Sequence, residues 1–189
     1  MKIVLTKRTL DMLVACTHKD KFALSGIYVQ EFEDAVILTA SNTHVLYSRT
    51  GNGETYRTRP DDDAVASGVV PARIFKALCE VGKRKMFKKT VYEVDSSTLI
   101  NGKVDEWTFP RYNEIIDKTP GGPCVLTVSD RDFFQHTNGF GFNVEYVKLF
   151  AKYAESGSDK LEFCGDSDKH TAKVHRDRES VSVIMPVCY

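Results

Sequence analysis

No stretch of this sequence is long and apolar enough to cross a bilayer, which takes about 20 apolar residues in a helix. The longest apolar segments are 35–38 and the charge-interrupted 144–154. The N-terminus has no signal-peptide pattern, because residues 1–5 run directly into Thr6-Lys7-Arg8 without a small-residue cleavage site. We therefore expect a cytoplasmic protein of one or two small domains with a hydrophobic core.

Paired cysteine spacings are also missing. The five cysteines are an odd number, are widely scattered and include no C-x-x-C pair, so we interpret them as buried, reduced thiols. Cys164, His170 and His175 lack the paired spacing of a zinc site, and no H-E-x-x-H occurs. No Walker loop, G-x-S-x-G or dinucleotide fingerprint is present. The sequence thus predicts no catalytic residues, no metal and no cofactor.

The chain has no net charge, since 26 basic residues balance 26 acidic ones. A neutral molecule exerts no strong long-range attraction on nucleic acid, so any such affinity must come from the distribution of charge. That distribution is uneven: segment 83–89 is basic, whereas 31–34 and 61–63 are acidic. The ordinary interpretation of each run is a solvated loop or turn.

Three successive segments share one pattern, a strand followed by a helix and further strands. In the first, a strand at 2–5 precedes a helix capped by Thr6. Its further strands are predicted at 24–30, 35–40 and 45–50. In the second, a strand at 68–70 precedes a helix that begins through Pro71 and ends at Gly82. The apolar stripe of that helix is formed by Ile74, Phe75, Leu78 and Val81.

In the second segment, further strands are predicted at 90–94, 97–101 and 104–109, with Asn101-Gly102 as the hairpin turn between the last two. The third segment has a predicted strand at 124–128 and a helix at about 143–155. Its last strands are predicted at 160–164, 171–176 and 180–187. Repeated units of this kind predict an α+β fold of antiparallel sheets with helices on one face. If the three helices lie side by side, their Lys and Arg residues form one moderately basic surface.

Several segments resemble signatures of the bacterial DNA polymerase III β subunit, the replicative sliding clamp, and they occur in that family's order. The similar family signatures are L-x-G, A-T-D-G-H-R-L, V-P-x-K/R, F-P-D-Y, G-F-N-x-x-Y and V-V-M-P-M-R-L. The corresponding segments here are 24–26, 38–46, 70–73, 109–112, 141–146 and 183–187. The resemblance implies the DNA-clamp (processivity) fold.

The chain departs from this family in its number of units. A member of the usual kind has three clamp domains of two units each, whereas this chain has about three units. The resemblance therefore implies a clamp domain at 1–118, made of units 1–55 and 66–118, and a partial second clamp domain at 119–189. We interpret the chain as a shortened member encoded by a phage or plasmid. Because Asn42-Thr43-His44-Val45 replaces D-G-H-R, we do not expect identical partner specificity.

The resemblance implies two binding surfaces. The first faces DNA, and its implied residues are Lys7, Arg8, Lys19, Lys21, Phe22, Arg73, Lys76, Lys83, Arg84, Lys85, Lys148 and Lys152. For Phe22, a place in the core of a strand is an equally open alternative. The second surface is a peptide-binding pocket formed by Leu24, Ser41, Thr43, His44, Val45, Leu46, Val183, Met185 and Pro186. For Val183 and Met185, ordinary core packing is the alternative.

The implied function is that of a processivity factor without enzymatic activity. Such a factor closes as a homo-oligomeric ring around double-stranded DNA and binds a DNA polymerase and a clamp loader through short peptide motifs. It acts in the cytoplasm, which is the host cell's if the gene is carried by a phage. Two alternatives stay open: a clamp-derived peptide-binding module or regulator that does not encircle DNA, and a small enzyme whose site has no recognisable motif.

Overall fold

In a computed structural model of the chain, the structure describes residues 1–87, 89–118, 124–128, 144–152, 161–164, 172–177 and 179–184. The strands are β1 (Lys2–Thr6), β2 (Gly26–Glu31), β3 (Val36–Ser41), β4 (Val45–Thr50), β5 (Ala66–Pro71), β6 (Lys83–Met86), β7 (Lys89–Asp95), β8 (Cys124–Val128), β9 (Leu161–Cys164), β10 (Ala172–Asp177) and β11 (Ser180–Ile184). The helices are α1 (Lys7–Ala15), α2 (Ala72–Val81), α3 (Ser96–Ile100), α4 (Tyr112–Lys118) and α5 (Val144–Lys152), with short 3-10 helices at Phe22–Ser25 and Asp61–Asp63. Within these ranges, every helix is too short or too polar to span a membrane.

The strands form two antiparallel sheets. The larger has eight strands in the order β5-β2-β3-β4-β11-β10-β9-β8, and the smaller has three in the order β1-β7-β6. Strand β11 pairs with β4, with Val183 opposite Leu46 and Ile184 opposite Val45. The third sequence unit therefore continues the sheet of the first unit through a strand pair.

Helix α1 forms because its first turn is capped and one face is apolar. The Thr6 side chain accepts a hydrogen bond from the backbone N–H of Thr9 at 3.2 Å, which satisfies one of the free donors of the first turn. Leu10, Met12 and Leu13 are buried. They belong to the main core, to which both sheets and helices α1, α2, α3 and α5 contribute.

The larger sheet is covered on both faces over β4 and its neighbouring strands β3 and β11. Because side chains alternate along a strand, Val45 and Leu46 point to opposite faces of the sheet. Val45 belongs to the main core, whereas Leu46 belongs to a second cluster. The buried members of this second cluster are Leu46, Val69, Phe109, Tyr112, Ile116, Val181 and Val183. Helix α4 and the segment before it thus cover the face that α1 and α2 leave open.

Two predicted strands are wrong. Residues 97–101 lie mostly in helix α3, and the N–H groups of Asn101 and Gly102 bond back to Ser97 and Leu99 at the helix end instead of forming a hairpin. Periodicity over five residues does not separate a helix from a strand. Residues 104–109 form no strand, although the Val104 N–H donates to the Val69 carbonyl at 3.0 Å and so covers the edge of β5.

Three other details differ from the predictions. Val81 ends α2 and is 88% exposed, so it does not belong to the buried stripe. The basic segment after Gly82 forms strand β6 rather than a loop. Helix α4 had not been predicted, since its seven residues are too few for a clear helical period.

Candidate functional site

An apolar pocket of about 210 Å³ lies where β3 turns into β4, beside α4. The residues that line it are Leu24, Ser41, Thr43, His44, Val45, Leu46, Phe109, Pro110, Tyr112, Ile115 and Val183. Every predicted pocket residue that the structure describes is among them. Met185 and Pro186 lie outside the described residues. The structure thus brings residues of the first and third units together around one cavity.

The turn between β3 and β4 is fixed by Asn42. Its side-chain oxygen accepts hydrogen bonds from the N–H groups of His44 at 3.0 Å and Val45 at 2.9 Å. This Asx-type turn holds Thr43 at a φ of 79°, in the left-handed region. The His44 ring stacks on Tyr146 of α5, with ring centroids 5.4 Å apart. The rim of the pocket is therefore held by a local turn and by contact with the third unit.

One wall of the pocket is not among the residues predicted from the sequence. Phe109, Pro110, Tyr112 and Ile115 form this wall. The Phe109 ring stacks on Tyr28 of β2 with centroids 5.2 Å apart, and Tyr112 packs edge-on against both rings. The Phe-Pro-Arg-Tyr segment at 109–112 resembles a family signature, and this resemblance was the signal that could have indicated the wall. The segment was not predicted to line the pocket.

A buried polar network fixes this wall to the sheet. The Tyr112 hydroxyl donates to Oε1 of Gln30, whose Nε2 donates to Oδ1 of Asp61 at 2.8 Å. Asn113 donates to the same Asp61 oxygen at 3.1 Å. Burial raises the pKa of Tyr112 well above its usual range and that of Tyr56 to about 12. Both phenols are therefore neutral near pH 7, and Tyr112 acts as a hydrogen-bond donor that anchors α4.

Half of the twelve predicted DNA-facing residues lie on three helices, with Lys7 and Arg8 on α1, Arg73 and Lys76 on α2, and Lys148 and Lys152 on α5. Helix α1 contacts both α2 and α5, and the exposed surface of these three helices is called the helical face below. Lys19, Lys21, Arg73 and Lys76 are exposed. Phe22 is 80% exposed in a 3-10 helix, so its alternative placement in a strand core is wrong.

Several of the predicted DNA-facing cations, on the helices and on β6, have acidic partners beside them. Three ion pairs join neighbours along the chain: Lys7 with Asp11 at 2.6 Å, Lys83 with Glu80 at 3.0 Å and Lys148 with Glu145 at 3.0 Å. The hydrogen bond from Lys83 holds the pKa of the Glu80 carboxyl below its usual range. These exposed pairs are weak and exchange readily with solvent or phosphate. The helical face is therefore only moderately positive.

Strand β6 divides its basic residues between two faces. Lys83 lies opposite Tyr92, and Lys85 lies opposite Thr90. Both lysines are therefore on the same face of the small sheet as Tyr92, which belongs to the main core. Arg84 points to the other face, where it forms an ion pair with Glu93 at 3.1 Å. Arg84 therefore lies on the opposite face of the small sheet from Lys83 and Lys85.

No metal site occurs in the part of the chain that the structure describes, since no three His, Cys, Asp or Glu side chains are grouped there to hold an ion. Cys16 and Cys79 are buried, as predicted for these two. Burial raises the pKa of the Cys79 thiol to about 12, which leaves it protonated and unreactive at neutral pH.

The fold has clear relatives among solved structures, although no family model and no curated protein matches the sequence. The DNA polymerase sliding clamp from Pseudomonas aeruginosa, solved with a ligand, matches with a TM-score of 0.63 and 14% identity over 100% of this chain and 66% of that one. The DNA polymerase III β subunit from Thermotoga maritima matches with a TM-score of 0.62 and 13% identity, over 100% of this chain and 66% of that one.

The DNA polymerase sliding clamp from Bacillus subtilis matches with a TM-score of 0.62 and 13% identity, over 100% of this chain and 64% of that one. The chain thus spans about two thirds of the length of the clamps it matches. The predicted α+β clamp architecture is confirmed. The whole described chain therefore has the fold of the bacterial DNA polymerase III β subunit sliding clamps, in a shortened form.

Proposed function

We propose that this protein is a DNA sliding clamp, a non-enzymatic processivity factor that closes as a homo-oligomeric ring around duplex DNA. The clamp fold and the adjoining helices α1, α2 and α5, with their exposed cations, support this proposal. A clamp must stay on DNA without adhering to one place. A closed ring meets both needs, because topological linkage retains the protein while its phosphate contacts stay few and exchangeable.

The arrangement of units suggests how a ring would be built. Units 1–55 and 66–118 would form one clamp domain and 119–189 a partial second one. If a ring needs about twelve units, as the family resemblance implies, four chains of about three units would close it. In this proposal the helices of all chains face the DNA, and the protein acts in the cytoplasm where the DNA is replicated.

The apolar pocket beside α4 would bind short peptide motifs of a DNA polymerase and a clamp loader. The observation that carries this proposal is that all described residues of the predicted pocket line one apolar cavity. Burying two or three peptide side chains contributes roughly 1.5–3 kcal/mol each, less the cost of ordering the peptide, which gives affinities on the order of micromolar. Such weak binding allows partners to exchange on one clamp.

The ring proposal is tested by linkage to circular DNA. We expect light scattering to give a mass several times the 21.3 kDa of one chain. After loading, the protein should remain on a nicked circular plasmid through gel filtration and should be released when a restriction enzyme linearises the plasmid. Release that is equally fast from circular and linear DNA would contradict encirclement.

A second candidate is a clamp-derived peptide-binding module or regulator that does not encircle DNA. The apolar pocket supports it, because peptide binding there needs no closed ring. A protein that stays monomeric and binds polymerase-tail peptides, but is not retained on circular DNA, would support this candidate over the ring.

A further inference from the structure

The hairpin formed by β6 and β7 ends in an exposed apolar tip. Met86 pairs with Lys89 across the hairpin, and Phe87 follows Met86 in the loop. Phe87 is 93% exposed and Met86 is 51% exposed. Neither belongs to either apolar cluster of the described residues. A large aromatic side chain thus projects into solvent where it adds nothing to the core.

The backbone at this tip is unfavourable for phenylalanine. Phe87 has a φ of 47°, in the left-handed region. Short hairpin loops prefer Asn, Asp or Gly at such positions, because the Cβ of a bulky L-residue crowds the following carbonyl oxygen there. Turn formation therefore does not explain the choice of Phe87. Strain of this kind often accompanies a functional contact.

Positive charge surrounds the tip. Lys85 and Lys89 are exposed on either side of it, and neither forms an ion pair with another described residue. Lys83, in contrast, is paired with Glu80. A surface depression of about 360 Å³ adjoins the hairpin, lined by Thr6, Lys7, Arg8, Lys89 and Thr90. An exposed aromatic ring on a hairpin with exposed lysines complements a ligand that carries both a flat ring and phosphates.

We propose that this hairpin tip binds single-stranded DNA, with Phe87 stacked on an unpaired base and Lys85 and Lys89 at the neighbouring phosphates. Aromatic stacking combined with cations is how proteins hold single strands, whose bases expose their faces. A blunt duplex offers no free base face away from its ends. A second copy of the tip would bring like charges together, which disfavours self-association there.

This inference rests on the proposed function and makes it more specific. A replication clamp meets single-stranded template beside the duplex that it surrounds. A hairpin that holds the unpaired strand would place the ring at the junction between the two. The helical face would serve the duplex, and the hairpin tip would serve the single strand.

The test is fluorescence anisotropy of the full chain with a labelled oligothymidine and with a blunt duplex of the same length. We expect Phe87→Ala to weaken oligothymidine binding by about tenfold, as for the loss of one stacked base, and to leave duplex binding unchanged. Phe87→Trp should retain oligothymidine binding because the indole also stacks. Phe87→Leu should bind as weakly as Phe87→Ala, because leucine is apolar but has no flat ring.

Two further variants serve as controls. Phe87→Gly removes the side chain and relieves the left-handed strain, so its melting temperature should be no lower than that of the unmodified protein while oligothymidine binding is lost. Val65 is also an exposed apolar residue, at 70%, and Val65→Ala should change nothing. Folding defects and general loss of apolar surface are thereby separated from stacking.

The inference is overturned if the unmodified protein does not bind oligothymidine, or if Phe87→Ala or Phe87→Leu binds it normally. It is also overturned if the Phe87 variants change the oligomeric mass but not the affinity for DNA, because the tip would then dock on another copy. The ring proposal fails separately. Loss of retention on circular DNA contradicts the ring even if Phe87 is required for single-strand binding. If the protein is retained on circular DNA but Phe87 is not required for single-strand binding, only the hairpin contact is contradicted.

Discussion

At the residue scale, Ile115 allows the peptide pocket to be separated from folding and assembly. Ile115 lines the pocket and is only half-buried. Ile115→Asp places a carboxylate where an apolar peptide side chain would enter, and burying that charge without a partner is unfavourable. We expect it to weaken binding of a labelled polymerase-tail peptide by more than about tenfold in anisotropy titrations, which corresponds to about 1.4 kcal/mol.

The matched control for Ile115→Asp is Val65→Asp, which adds the same charge at an exposed apolar position outside the pocket. Both variants should keep the oligomeric mass of the unmodified protein. If Ile115→Asp also abolishes assembly, Ile115 acts in the fold of α4 rather than in recognition of a peptide.

The residues of the pocket could be predicted only in part. Short segments such as the one containing His44 could be recognised from the sequence because they resemble family signatures. The wall formed by Phe109 and Ile115 could not be assigned, because it depends on the packing of α4 over Tyr28 and Leu46, which are distant in the sequence. The exposure of Phe22 could not be predicted for a similar reason, because local sequence does not fix the tertiary surroundings of a single aromatic residue.

At the element scale, the cap of α1 is a defined contribution to stability. The Thr6 side chain accepts a hydrogen bond from the Thr9 N–H. We expect Thr6→Ala to lower the free energy of unfolding by about 1 kcal/mol, since that donor loses its partner. Thr6→Ser keeps the hydroxyl and should lower it much less. Urea titration followed by circular dichroism measures both, and equal effects of the two substitutions would contradict a capping role.

The elements that could be predicted are those with several agreeing signals. Helix α2 has Pro71 before it and Gly82 after it, with Phe75 and Cys79 buried between them. Segment 97–101 has only a short run of apolar and polar residues, which is compatible with either a strand or α3. Strand β6 is rich in Lys and Arg, and it forms because it pairs with β7 rather than because of its own strand propensity.

At the scale of the whole molecule, the third unit is tied to the first by more than a sheet. Besides the pairing of β11 with β4, the buried Arg49 donates to Oε2 of Glu179 at 2.5 Å and to Oγ1 of Thr9 at 2.8 Å. One arginine therefore joins β4, α1 and the turn before β11. Its charge is compensated by hydrogen bonds and a carboxylate, as a buried cation requires.

The balance of charge over the whole molecule predicts how DNA binding responds to salt. The chain has no net charge, and several of the predicted DNA-facing cations are paired with neighbouring carboxylates. Each phosphate contact contributes about −0.9 to the slope of log K against log salt, so we expect a slope shallower than about −4 for an open linear duplex.

Retention on a closed circle should persist at salt concentrations that abolish linear binding, because topological linkage does not depend on counterion release. Gel filtration of loaded circles across a salt series measures this. Parallel loss from circles and linear DNA would show that charge, and not ring closure, holds the protein on DNA.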